Sequence, residues 1–126
     1  MNENIINSAN NTLASANDCF NSLCTLSDGI ADISKSWTDL ERDIHAMDLQ
    51  FNAYMRNLEV DLEKYKISAP IVCKQLDKLQ DKMGAVMDKV VDMDVTNELE
   101  FKTKSRMMDS VDKYIDSLAS MMIKLL

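Results

Sequence analysis

The only histidine of the chain, His45, stands between two carboxylates that share its face of a helix. Glu41 lies four residues before it and Asp48 three residues after it, so all three side chains point to one side. Such a face can bind a metal ion, but metal centres in helical bundles also take carboxylates and further histidines from other helices. We therefore interpret the three residues as a solvated charged face, and we expect neither a metal nor another cofactor.

The three cysteines are candidate catalytic nucleophiles. Cys19 and Cys24 are five residues apart, on different sides of a helix, and Cys73 lies in the second half of the chain. An odd number of cysteines at this spacing predicts reduced thiols rather than disulfides. A chain that turns near residue 68 keeps all three far from His45, and two glycines cannot supply a phosphate-binding loop. We expect no enzyme and no small-molecule substrate.

Charge and composition restrict the remaining classes of protein. The net charge of −7 argues against binding of a nucleic-acid backbone, which needs clustered basic residues. The first residues lack the basic and apolar regions of a Sec-type signal peptide, and no apolar run reaches the roughly 18 residues of a membrane span. These features predict a cytoplasmic protein, with export by a specialised system left open. Two glycines and one proline are too few for the turns of a sheet protein, so the composition predicts an all-α fold.

A heptad stripe runs without interruption through the first half of the chain. From Leu23 to Leu58, alternating steps of three and four residues always reach an apolar residue. This register is typical of a coiled coil and predicts one helix over about residues 5–66, with Gly29 as its only weak point.

The only proline marks the predicted turn, at about residues 67–70. Ser68 is a candidate helix N-cap, and Pro70 fits the first turn of a following helix. The second helix is predicted over about residues 71–126, with either a stutter or a true break near 94–97.

Two arms of similar length predict a long antiparallel helical hairpin, one helical domain over residues 1–126. Charge supports the pairing of the arms with each other. Residues 1–63 carry eleven acidic and three basic side chains, whereas residues 64–126 carry ten acidic and eleven basic ones. An acidic arm prefers this second arm to a copy of itself.

The two ends of the chain carry one apolar row too many for a hairpin. The hairpin core takes Met108, Ile115 and Met122 from the second helix, and a second row remains on each arm. A single antiparallel helix cannot cover both rows. The sequence therefore predicts a partner-binding surface of six residues: Ile6, Leu13, Phe20, Met107, Tyr114 and Met121.

Three arrangements cover this surface. Two hairpins can form a homodimeric four-helix bundle; the helices can break near Gly29 and Thr96 and form a compact up-down four-helix monomer; or another protein can supply the cover. The sequence thus favours a non-enzymatic coiled-coil protein for protein–protein interaction or assembly. The alternative is a small inhibitor or a secretion-type adaptor or chaperone that sheathes a helix of its partner.

Overall fold

The computed structural model describes the backbone of residues 2–32 and 36–126 and the side chains of residues 14, 16–32 and 36–126. Every regular element within these ranges is a helix, which confirms the all-α prediction. The helices are α1 (Asn2–Asp32), α2 (Trp37–Val60), α3 (Leu62–Lys66), α4 (Ala69–Asp92) and α5 (Glu98–Leu125). None of these described helices combines the length and the apolar character that a membrane crossing requires.

Both predicted arms are divided into shorter helices. The single helix expected over residues 5–66 is wrong, because α1 ends at Asp32 and a new helix begins at Trp37. Gly29 lies inside α1 and does not cause this division. The second arm has the break near 94–97 and not the stutter, since α4 ends at Asp92 and α5 begins at Glu98.

The new helices begin at side chains that cap them. The Ser36 hydroxyl accepts a hydrogen bond from the backbone N–H of Asp39 over 3.2 Å. The Asn97 side-chain oxygen accepts one from the N–H of Glu100 over 2.9 Å. Such bonds satisfy backbone donors that a helix start leaves free, so they stabilise a helix that begins at these positions.

The turn lies where the proline predicts it. α4 begins at Ala69 with Pro70 in its first turn, and Ser68 occupies the N-cap position without making a side-chain capping bond. The short helix α3 precedes it, and α2 ends beside Asp61, the first polar residue that interrupts the heptad stripe.

The four long helices form two antiparallel hairpins, α1/α2 and α4/α5, that pack side by side. Gln80 of α4 donates to the carbonyl of Ile115 and Lys104 of α5 donates to that of Val91, a pairing that runs in opposite directions. α1 lies against α2 and α4, α5 lies against α4 and α2, and α2 and α4 are diagonal neighbours. The α2–α5 side is the least closely packed of the four.

The core follows the predicted stripes on α2 and α4 but departs from them on α1, where Leu26 is half-buried and Ser27 is buried, and on α5. The stripe residues of α2 and α4 that line the bundle axis are buried. On α5 the buried row is shifted by one residue: Met107, Tyr114 and Met121 are inside, and Met108, Ile115 and Met122 are only half-buried. The expectation that Met108, Ile115 and Met122 form the core is therefore wrong. Met107, Tyr114 and Met121 continue the heptad phase of α4, whereas the predicted row required a stutter between the two helices.

Candidate interaction groove

The two carboxylates beside His45 make hydrogen bonds between helices. Glu41 accepts a hydrogen bond from the guanidinium of Arg106, and Asp48 accepts one from the hydroxyl of Tyr114. His45 is exposed between them. Among the described residues, no group of three or more His, Cys, Asp or Glu side chains is arranged to hold a metal ion.

The cysteines are free thiols in the structure. Cys24 is buried, whereas Cys19 and Cys73 are half-buried. Burial raises the pKa of the Cys24 thiol, and the nearby Lys82 and Lys78 only partly oppose this effect. A raised pKa keeps the thiol protonated at neutral pH, so Cys24 is a packing residue and a poor nucleophile.

The structure brings together half of the predicted partner-binding surface. Met107, Tyr114 and Met121 lie in one row on α5 and face α2, where the ring of Tyr114 packs on Phe51 with 4.5 Å between centroids. Phe20 is buried elsewhere, against Tyr54 with ring centroids 6.2 Å apart. The side chains of Ile6 and Leu13 lie outside the described residues. That these residues bind a partner stays a prediction.

Three side-chain hydrogen bonds connect α2 and α5, and the two partners of each bond are separated by nearly the same number of residues. Each runs from a donor on α5 to a carboxylate on α2: Arg106 to Glu41, Tyr114 to Asp48 (2.9 Å) and Lys124 to Glu59 (2.9 Å). The partners are 65 or 66 residues apart in each case, so α2 and α5 run parallel. The two ion pairs join an acid of the first half to a base of the second half, as the charge asymmetry predicts.

Three cavities lie in a line beside these bonds and together form an open groove, which we call the α2–α5 groove. Their volumes are about 550, 590 and 840 Å³. They contain apolar side chains in succession: Trp37 and Leu99, then Ile44 and Met107, then Phe51 and Met121. Two of the predicted partner-binding residues, Met107 and Met121, thus lie at the base of the groove.

Polar rather than long apolar side chains line the gap between the two helices. They recur every seven residues on the facing sides of the two helices: Thr38, His45 and Asn52 on α2, and Thr103, Ser110 and Ser117 on α5. Long apolar residues at these positions fill such a gap in closely packed bundles.

No family model, curated protein or solved structure is significantly similar to the chain. The function must therefore be inferred from the groove itself.

The charges along the groove are mixed in sign. Basic side chains include Arg42, Arg56 and Lys113, and acidic ones include Asp109, Asp112 and Asp116. The groove therefore has no strong electrostatic field of one sign.

Sequence reasoning missed a polar cluster that joins three helices. The amide of Gln75 on α4 donates to Asn17 on α1 and accepts from the hydroxyl of Tyr54 on α2 over 3.3 Å. The cluster holds the three helices at a common level. Only the position of Gln75 beside Leu76 of the stripe hints at it, because heptad patterns do not show which helices become neighbours.

Proposed function

We propose that the chain is a non-enzymatic protein–protein interaction protein that acts in the cytoplasm and receives an amphipathic helix of another protein in the α2–α5 groove. One observation carries the proposal. Cavities follow one another along the α2–α5 side of the bundle, beside the three bonds that cross it, with buried apolar side chains at their base.

The length of the α2–α5 side is sufficient for a bound helix. α2 has 24 residues, which corresponds to about 36 Å at 1.5 Å per residue. A helix in a groove between two parallel helices packs as a further member of the bundle, with apolar residues at every third and fourth position. This proposal keeps the sheathing role predicted from the sequence and moves it from the end of a hairpin to one side of the bundle.

Filling the groove without disturbing the core tests the proposal. In the variant Asn52→Arg with Ser117→Arg, two long side chains occupy the largest cavity, whose edge both residues form. The control, Asn21→Arg with Ala85→Arg, adds the same charge at exposed positions on α1 and α4. Each protein is used to capture interaction partners from cells of its natural source, and the captured proteins are quantified by mass spectrometry.

We expect the natural chain and the control to retain the same partner and the groove variant to lose it. Circular dichroism must show equal helicity for all three proteins. Equal retention by the groove variant and the control, or no specific retention by the natural chain, contradicts the proposal.

A further inference from the structure

The apolar stripe keeps its phase from α1 into α2, although these are two separate antiparallel helices. Two lines of residues, each with a spacing of seven, pass through the connection: Leu23, Ile30, Trp37, Ile44 and Phe51, and Leu26, Ile33, Leu40, Met47 and Tyr54. A turn between two helices does not by itself require an apolar residue at every one of these positions. The same residues also specify one continuous amphipathic helix.

The other two connections lack this property. Asp61 and Ser68 interrupt the corresponding line before α4, and Pro70 follows. Between α4 and α5 the buried face keeps its phase, but its positions are occupied by the polar residues Asn97, Glu100 and Lys104, and the side chain of Asn97 caps α5. Only the α1–α2 connection is compatible with both a turn and a continuous helix.

The side-chain cap at the start of α2 is weak. It is the exposed bond from the N–H of Asp39 to the hydroxyl of Ser36, and the sequence from Ile33 to Ser36 contains neither glycine nor proline. A single N-cap side chain stabilises the start of a helix only modestly. The balance between the turned and the straight chain is therefore small.

If α1 continues straight into α2, it leaves its own bundle and exposes the faces of α2 and α4 that it covered. An identical α1 from a second chain fits these faces with the same contacts, including Phe20 against Tyr54 and Lys82 against Asp28. We propose that two copies of this chain exchange α1 and form a domain-swapped dimer in which α1 and α2 are one helix. Domain swapping through a short connection is a low-cost route to dimers.

The contact between α1 and α2 predicts that Trp37 lies at the centre of the exchanged dimer. Trp37 lies midway in sequence between Phe20 and Tyr54, which pack on each other. In the exchanged dimer, the Trp37 residues of the two chains approach each other near the two-fold axis. Trp37 is the only tryptophan, so its fluorescence reports the exchange. The α2–α5 groove takes no part, so this inference is independent of the proposed function.

Two substitutions of Ser36 act in opposite directions. Ser36→Ala removes the cap and favours a continuous helix, so we expect the dimerisation constant to rise about tenfold or more, because both chains of the turned form lose the cap. Ser36→Pro removes the same capping hydroxyl, but its fixed φ fits the turned form, in which Ser36 already has a φ of −67°. Proline inside a continuous helix removes a hydrogen bond and clashes with the preceding turn, so this variant should stay monomeric.

The mass is measured by light scattering over a concentration series, together with Trp37 fluorescence and exchange between two differently tagged preparations. We expect dimers in the order Ser36→Ala, natural chain, Ser36→Pro, with slow exchange of tagged chains. The inference is overturned if Ser36→Ala is monomeric at the highest attainable concentration. It is equally overturned if Ser36→Pro dimerises as strongly as Ser36→Ala, which indicates ordinary surface association.

Discussion

At the scale of single residues, the three tyrosines connect the apolar core with the polar bonds between helices. Tyr54, Tyr65 and Tyr114 are all buried. The hydroxyl of Tyr54 bonds to Gln75 of α4 and that of Tyr114 bonds to Asp48 of α2. A buried hydroxyl that keeps a partner avoids the cost of desolvation and also selects the helix on which that partner lies.

Tyr114→Phe should lower the free energy of unfolding by about 1–2 kcal/mol, because Asp48 loses a charge-assisted hydrogen bond while the ring stays against Phe51. Urea denaturation measures the change. In the Tyr114→Phe background, Asp48→Asn should have little further effect, since the bond is already absent. A full additional loss on Asp48→Asn shows that the two side chains do not act as a pair.

Alkaline pH should unfold the protein through its tyrosines. Burial, together with Asp61 and Cys19, raises the pKa of Tyr65 to about 12. Burial also raises the pKa of Tyr54, and burial and the bond to Asp48 raise that of Tyr114. In the unfolded chain the phenols ionise near pH 10, so above that pH the unfolded state binds fewer protons and stability falls as pH rises.

The tyrosinate absorbance and the circular dichroism are followed in one pH titration. Below about pH 10 the contribution of the tyrosines is fully present, and above it we expect ionisation and loss of helix to occur together. The urea-unfolded chain is the control and should titrate near pH 10. Ionisation near pH 10 with the helices intact contradicts this prediction.

At the scale of elements, local capping residues determine where the long arms divide. Thr96, Asn97 and Glu100 form a network at the start of α5, and Lys104 donates to the carbonyls of Val91 and Met93 at the end of α4. Cations are favourable at helix C-termini, where carbonyl groups lack partners. The break near Thr96 is thus stabilised from both sides.

Asn97→Ala should lower stability by about 1 kcal/mol and move the start of α5 toward the C-terminus, because the N–H of Glu100 loses its acceptor. Thermal denaturation measures the stability, and amide hydrogen exchange at residues 98–101 measures the position of the helix start. Asn97→Ser, which keeps an acceptor, should be close to the natural chain. Unchanged protection in Asn97→Ala argues that packing alone holds this helix end.

At the scale of the whole molecule, the way the helices cover one another decides which apolar row is internal. α2 lies over Met107, Tyr114 and Met121 in the same chain. The α2–α5 groove above this row remains as the open side of the bundle. The apolar row of α5 is therefore not exposed as the hairpin interpretation expects.

The double substitution Tyr114→Glu and Met121→Glu should abolish most helicity and cooperative unfolding. Two unpaired buried carboxylates cost several kcal/mol, which is comparable with a total stability of about 5–15 kcal/mol. Ile123→Glu with Leu126→Glu is the matched control, since these side chains are 71% and 98% exposed and should tolerate the charge. Circular dichroism and light scattering measure both pairs. Retained helicity with a lower mass in the first pair indicates that the row is an interface, as the hairpin interpretation predicts.

The sequence by itself determined the all-α class, the turn at Pro70 and the buried stripes of α2 and α4. These follow from local physics, because proline restricts its own backbone and heptad spacing places apolar side chains on one helical face. The capping pairs Ser36/Asp39 and Asn97/Glu100 are also visible in the sequence. The first marks a division that the heptad interpretation overlooked, and the second marks the break that it left open beside a stutter.

Only the tertiary structure decided which face of α5 is buried, which helices run parallel and where the groove lies. Apolar rows on α5 differ by one residue, and either row satisfies a heptad pattern. The choice depends on how two hairpins pack, and this packing is set by long-range contacts such as Gln75 with Asn17 and Tyr114 with Asp48. Periodicity reports the direction of a side chain around its own helix, whereas its neighbours belong to helices tens of residues away in the chain.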